Sequence, residues 1–114
     1  EVFKVPLSRQ AREILEELPK NCKYVFSING RTPICKDTPR KFLKRHCPWE
    51  ITMHGCRSTF SDWCAEQEKN VLVSEKCLMH VGGDKVFRAY QRSDLMNQRR
   101  QLLQEWADFL WGEE

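Results

Sequence analysis

Four polar side chains in the second half of the chain could act together on one phosphate: His54, Arg57, His80 and Tyr90. A guanidinium can hold a phosphate through two parallel hydrogen bonds and can stabilise the charge that develops at a pentacoordinate phosphorus. An imidazole can take or give a proton near neutral pH, and a phenol becomes a nucleophile when a base activates it. These residue types are therefore suited to breaking a phosphodiester through a covalent bond to tyrosine.

Each of these residues also has an ordinary structural interpretation. A histidine followed three positions later by an arginine occurs by chance in many helices. His80 follows Leu78 and Met79 and could be a hydrogen-bonded core histidine. Tyr90 could lie at the edge of a core with its hydroxyl in water. Spacing alone therefore leaves the catalytic and the structural interpretations open.

Helical periodicity and capping residues predict the elements that position these side chains. Ser8 is a good N-cap for a first helix, which Pro19 ends. Pro39 suits the first position of a second helix, capped by Asp37 or Thr38.

A third helix is expected to carry the first two candidate residues. It begins near Thr52 or His54, and Asn70 is expected to close it. His54 and Arg57 then lie on one face, because residues three apart are neighbours on a helix. The free N–H groups of a helix N-terminus also favour a phosphate.

The rest of the chain predicts a mainly α fold of about five or six helices. A fourth helix is expected over 71–79 and a short fifth over 84–90, and Ser93 is expected to cap a long last helix. At the front, loose alternation predicts a short strand remnant from Val2 to Pro6. The apolar stripe of the last helix is formed by Leu95, Leu102, Leu103, Trp106 and Leu110.

Length and composition fit one domain over residues 1–114, with a modest core and a formal net charge of +3. No apolar run is long enough to span a bilayer, and no basic-then-apolar leader opens the chain, so neither a membrane nor secretion is expected. The six cysteines contain no C-x-x-C pair, which argues against zinc. They are expected to be reduced thiols, with a disulfide-stapled structural domain as the alternative.

A basic stripe on the second helix has two open interpretations. Like-charged residues four apart cost helix stability unless an anion lies nearby, which favours contact with phosphates. The alternative is a solvated face with Phe42 and Leu43 buried behind it. The candidate DNA-binding residues are Lys36, Arg40, Lys41, Lys44 and Arg45.

The sequence segments around the candidate residues form a recognisable pattern. The segments concerned are VPLS at 5–8, QA at 10–11, HGCRSTF at 54–60, WCAEQ at 63–67, HVGGDKV at 80–86, AYQRSDL at 89–95, QRR at 98–100 and WAD at 106–108. Together they closely resemble the tyrosine recombinases, in particular the integrases of phages and genomic islands. The resemblance covers nearly the whole chain.

The resemblance implies a role for each candidate residue in site-specific DNA recombination. His54 and Arg57 would be the histidine and the second catalytic arginine of the family's H-x-x-R box, and His80 would match its later histidine. Tyr90 would attack the scissile phosphate, giving a 3′-phosphotyrosine and a free 5′ hydroxyl. The partner would be double-stranded DNA in the cytoplasm of a bacterial or phage-infected cell, with no cofactor and no metal.

The resemblance further implies that this is the C-terminal part of the DNA breaking-rejoining catalytic fold. The family's first catalytic arginine and its hairpin lysine lie upstream of the VPLS segment, so this fragment is expected to be inactive alone. The last helix would dock on its own protomer or on other recombinase protomers. A non-catalytic DNA-binding or assembly module is the rival from another functional class.

Overall fold

The computed structural model describes residues 2–80 and 92–113, and in these ranges the chain forms five α-helices. The mainly helical prediction is confirmed. The helix expected over 84–90 and the candidate nucleophile Tyr90 lie outside the described residues. The helices are α1 (Arg9–Glu17), α2 (Thr38–His46), α3 (Met53–Glu66), α4 (Val71–Cys77) and α5 (Met96–Trp111).

The strand predicted from Val2 to Pro6 is wrong, because the described backbone of residues 2–8 forms no strand. A strand requires a neighbour that pairs with its backbone, and among the described residues this segment pairs with a side chain instead. The carbonyl of Lys4 accepts a hydrogen bond of 2.8 Å from Nη1 of Arg99. The Arg99 guanidinium also lies 4.9 Å from the centre of the Phe3 ring. The N-terminal segment is therefore anchored to α5.

Helices α3, α4 and α5 enclose the apolar core. The rings of Trp63 and Trp106 lie 5.2 Å apart, and Phe60 meets Trp106 edge to face at 5.5 Å. Such aromatic pairs stabilise a core beyond the area they bury. The stripe expected on the last helix enters this core at Leu102, whereas Leu110 is exposed. The buried cluster consists of Phe60, Trp63, Cys64, Val73, Leu78 and Leu102.

Helix α1 packs on α5 through polar side chains. Gln10 is 2% exposed, and its Nε2 donates to Asp108 Oδ1 at 2.8 Å. Gln104 Nε2 donates to Gln10 Oε1 and to Asp108 Oδ1, each at 2.9 Å. These hydrogen bonds hold the carboxylate and lower the pKa of Asp108 below its usual value. A satisfied network of this kind fixes one relative position of two helices.

The capping predictions are confirmed at some helix ends and wrong at others. Ser8 Oγ accepts from the backbone N–H of Ala11 at 3.1 Å and caps α1 as predicted. Asn70 does not close α3 but caps α4, and Ser93 does not cap α5, whose N-cap is Leu95. An asparagine side chain satisfies free N–H groups at a helix start, which explains its position before α4.

No helix within residues 2–80 and 92–113 combines the length and the apolarity needed to cross a membrane.

Candidate functional site

The N-terminus of α3 carries His54 and Arg57 in its first two turns, and both residues are exposed. Thr52 is the N-cap, and its Oγ1 accepts from the backbone N–H of Gly55 at 2.8 Å. A Cβ at Gly55 would lie 3.1 Å from that Oγ1, so glycine allows the cap hydroxyl its close approach. The cap thereby fixes the helix start from which both candidate side chains project.

Arg57 connects α3 to the C-terminal end of α4. Its Nη2 donates a hydrogen bond of 2.8 Å to the carbonyl of Leu78, the C-cap residue of α4. Arg57 lies three and seven positions before the buried Phe60 and Cys64, so it extends the buried stripe of α3 by one turn. The guanidinium therefore reaches the end of α4 while the residue stays exposed to solvent.

The end of α4 brings His80 to the same place. Met79 adopts a left-handed conformation with φ of 58°. Its N–H donates to the carbonyl of Lys76 at 3.1 Å, and the N–H of His80 donates to the carbonyl of Glu75 at 3.0 Å. This pair of bonds is the Schellman arrangement that ends many helices. His80 therefore lies two residues after Leu78, whose carbonyl binds Arg57.

The imidazole of His80 is held by a carboxylate. Its Nδ1 is paired with Oε2 of Glu75, whose side chain is more buried than that of His80. Sequence analysis missed this partner. The signal was available, because Glu75 stands five positions before His80, which is the spacing of the residues that a Schellman motif joins.

Of the four candidate residues, the described structure brings Arg57 and His80 to one end of α4 and places His54 beside Arg57 on α3. Tyr90 belongs to residues 81–91, which lie outside the described residues, as does the turn at Gly82 and Gly83. Its approach to the other three stays a prediction.

The basic stripe of α2 faces solvent, and α2 has no buried residue. Phe42 is 61% exposed, with its ring 4.6 Å from that of His46, so the expectation that Phe42 would be buried behind the stripe is wrong. Arg40 makes one long ion pair of 3.8 Å with Asp37 on the same turn. Contact with phosphates stays a prediction for Lys36, Arg40, Lys41, Lys44 and Arg45.

All six cysteines are free thiols in the structure. Burial raises the pKa of Cys64 and of Cys77 to about 11 in each case, which keeps both protonated at neutral pH. Within the described part of the chain, no group of three or more His, Cys, Asp or Glu residues could hold a metal ion.

Arg99 was also missed as a structural residue. It is 1% exposed, and its Nε donates to the carbonyl of Asp94 at 2.6 Å, in addition to its bond with Lys4. The spacing of residues gave no signal for the bond to Lys4, since that carbonyl lies 95 positions away.

Comparison with curated proteins finds relatives among integrases. The chain is 37% identical over 112 residues to the prophage integrase IntA of Escherichia coli K12, across 93% of this chain and 27% of that relative. It is 32% identical over 113 residues to the integrase of Shigella phage Sf6 and to the E. coli prophage integrase IntS, across 93% of this chain and 29% of each. The chain thus spans less than a third of the length of these relatives. No protein-family model matches it, and no solved structure does.

Proposed function

This chain is homologous to phage and prophage integrases, and on that basis we propose that it forms the C-terminal part of the catalytic domain of a tyrosine recombinase. The parent reaction is site-specific integration or excision of DNA. The observation that carries the proposal is that Arg57, near the N-terminus of α3, binds the Leu78 carbonyl at the end of α4, two residues before His80, in a chain with this homology.

The proposed reaction is a reversible transfer of a phosphoryl group. The phenol oxygen of Tyr90 attacks the scissile phosphorus and loses its proton, a bond forms between them, and the bond from phosphorus to the 5′ oxygen breaks. The 5′ oxygen leaves with a proton, and the DNA 3′ end stays attached to Tyr90. A 5′ hydroxyl of the partner strand then attacks the phosphorus and loses its proton, the bond from phosphorus to the Tyr90 oxygen breaks, and the phenol regains a proton as the phosphodiester is restored. The number and type of bonds are conserved, so the exchange requires no external energy source.

The side chains of α3 and α4 supply charge and protons to this exchange. The Arg57 guanidinium donates hydrogen bonds to the non-bridging oxygens, where negative charge develops in the transition state. The imidazoles of His54 and His80 donate hydrogen bonds to the same phosphate and exchange protons with the reacting oxygens. A first arginine and a lysine from the part of the protein that precedes VPLS complete the set, so we propose that this segment alone does not cleave DNA.

A chimera tests the proposal. The chain replaces the aligned segment of E. coli IntA, and the chimera is incubated with nicked suicide DNA that carries the recombination site of that integrase. A covalent protein–DNA adduct that survives denaturing electrophoresis is expected. Tyr90→Phe is expected to abolish the adduct and to keep DNA binding. Tyr24→Phe, at the other of the two tyrosines, is the matched control and is expected to leave the adduct unchanged.

The outcomes separate the candidate functions. An adduct that persists in Tyr90→Phe would show that another residue is the nucleophile. DNA binding without any adduct, while intact IntA forms one, would favour the non-catalytic DNA-binding or assembly module instead.

The basic stripe of α2 is the observation that favours DNA contact in either case. Lys44→Gln is expected to weaken DNA binding of the chimera and to lower the slope of log affinity against log salt concentration by about 1, since one phosphate contact is lost. Lys20→Gln is the control, because Lys20 lies beyond α1 and its Nζ donates to the carbonyl of Glu16 at 2.6 Å. Equal salt slopes for the two variants would exclude Lys44 from the DNA interface.

A further inference from the structure

The C-terminal turn of α4 contains Glu75, a polar residue that has no role in the proposed reaction described above. Glu75 lies in the last turn of the helix and His80 follows its end, so the Schellman bonds fold the backbone of His80 back over Glu75. The left-handed Met79 between them is a conformation that L-residues rarely adopt. The backbone turn therefore brings residues 75 and 80 close enough for their side chains to meet.

The side chains complete this arrangement. Oε2 of Glu75 contacts Nδ1 of His80 and not Nε2. An ionised carboxylate can only accept a hydrogen bond, so its contact at Nδ1 favours the form of the ring in which Nδ1 carries the hydrogen. The contact also fixes the rotation of the ring, which leads Nε2 away from Glu75. In hydrolase triads a buried carboxylate acts on its histidine in this way, through tautomer and orientation.

Arg57 ties the same turn to the rest of the site. Its hydrogen bond to the Leu78 carbonyl holds the C-cap of α4 against α3. Glu75 is half-buried, with 27% of its side chain exposed, whereas 52% of the His80 side chain is exposed. The carboxylate is thus the more enclosed member of the pair, and the imidazole is the member that a large substrate can reach.

We propose that Glu75 is a positioning residue, which holds the His80 imidazole so that its Nε2 faces the scissile phosphate of DNA. This inference rests on the proposed recombinase function. Glu75 touches neither DNA nor the reacting atoms and acts only through His80. Its loss leaves the fold and DNA binding in place and lowers the rate of the phosphoryl transfer.

The first experiment measures the imidazole directly in the 114-residue chain. Nitrogen NMR of histidine-labelled protein is expected to show His80 with a protonated Nδ1, and Glu75→Gln is expected to shift both ring nitrogens of His80. The other two histidines, His46 and His54, are internal controls, and Glu66→Gln on the exposed end of α3 is the matched carboxylate control. Unchanged His80 ring shifts in both Glu75→Gln and Glu75→Ala, with an otherwise native amide spectrum, would overturn the pairing.

The second experiment measures the rate of adduct formation in the IntA chimera. Glu75→Ala is expected to slow adduct formation by about 10-fold, the lower end of the effect seen when a metal-bound histidine loses its hydrogen-bond partner. DNA affinity is expected to stay the same. In a His80→Ala background the same substitution is expected to change the rate less than about twofold, because residues that act through one another are not additive. Glu75→Asp is expected to recover part of the rate.

The two failures are distinguishable. Equal slowing by Glu75→Ala with and without His80 would overturn the positioning role while the adduct still supports the recombinase function. Absence of any adduct in the chimera with Glu75 intact would overturn the recombinase function. The Glu75–His80 pair would then have no catalytic role. The NMR experiment decides the pairing itself in either case.

Discussion

The two halves of this molecule are held together by different forces. From residue 11 to residue 59 the structure has no buried residue, and α1 is attached to α5 through the amide and carboxylate groups of Gln10, Gln104 and Asp108. Helices α3, α4 and α5 instead enclose an aromatic and aliphatic core. Well-packed apolar cores resist displacement, whereas exposed elements with few buried contacts open at low cost in free energy.

Two candidate catalytic residues lie beside the apolar core, whereas the candidate DNA-binding residues lie in the half without buried residues. Arg57 and His80 stand at one edge of the apolar core, where the backbone turn and the Arg57 bond fix them. The basic stripe stands on α2, which buries nothing. A catalytic group requires a fixed position to within a fraction of an ångström, whereas a phosphate contact tolerates adjustment of a long side chain. The following substitutions test the contrast between the halves.

The largest effect is expected from one pair of phenylalanines. Phe60→Ala is expected to lower the free energy of unfolding by about 3–5 kcal/mol, because it leaves a cavity beside the rings of Trp63 and Trp106. Phe42→Ala on exposed α2 is expected to change it by less than about 0.5 kcal/mol. Urea unfolding followed by circular dichroism measures both. Equal losses would remove the distinction between the two halves.

A pair of neighbouring arginines gives the next effect. Arg99→Met is expected to lower the free energy of unfolding by about 1.5–3 kcal/mol, since the carbonyls of Lys4 and Asp94 lose a charged donor. Arg100→Met is the control, because Arg100 is exposed and donates to Asn97 Oδ1 at 2.9 Å. Hydrogen exchange of residues 3–8 is expected to accelerate only in Arg99→Met. Unchanged exchange there would show that Arg99 does not anchor the N-terminal segment.

Left-handed backbone positions occur in both halves. The first half has Gly30 at φ of 75°, whereas the core half has, besides Gly112 at 69°, the non-glycine residues Glu68 at 54°, Met79 at 58° and Leu95 at 51°. Met79→Gly is expected to raise the free energy of unfolding by about 1 kcal/mol through relief of backbone strain. Gly30→Ala is expected to lower it by a similar amount, although an added Cβ meets nothing within 4 Å. Thermal unfolding measures both, and a loss of stability in Met79→Gly would contradict the expectation.

The smallest effect is expected from acid at the polar contact between the halves. The pKa of Asp108 is lowered from its ordinary value of 3.8, because Gln10 and Gln104 donate to the ionised carboxylate. The stabilisation is therefore complete above pH 3.8 and is lost as the pH falls through the lower pKa of the folded state. The side-chain amide signals of Gln10 are expected to shift over that range, and Asp108→Asn is expected to abolish the shift. A shift centred above pH 4 would contradict this prediction.

Structural features that depend on residues close together in the sequence could be predicted from it. The helix start at Ser8 follows from a short polar side chain before an apolar repeat and is confirmed, and the third helix is capped by Thr52, one of its two expected starts. The strand at residues 2–6 was wrong because its outcome depends on Arg99, which is remote in sequence and carries no local signal of burial. Asn70 was misassigned, since one asparagine can end one helix or begin another.

Some features of the candidate site could also be predicted from local sequence, and others could not. The expectation that His54 and Arg57 share a helix face needs only the periodicity of α3, and the structure has both residues in its first two turns. The Glu75–His80 contact depends on a left-handed methionine, and such a conformation is not expected for that residue type. The approach of Tyr90 to these residues depends on the segment that contains it and stays a prediction.

The three-residue interval from Arg57 to Phe60 has a consequence for natural variation in chain length. Each residue inserted into an α-helix turns everything before it by about 100° relative to everything after it. One extra residue between these two positions would rotate the guanidinium off the Leu78 carbonyl while Phe60 kept its place in the core. Alignments of relatives are therefore expected to show an unvarying length from 57 to 60.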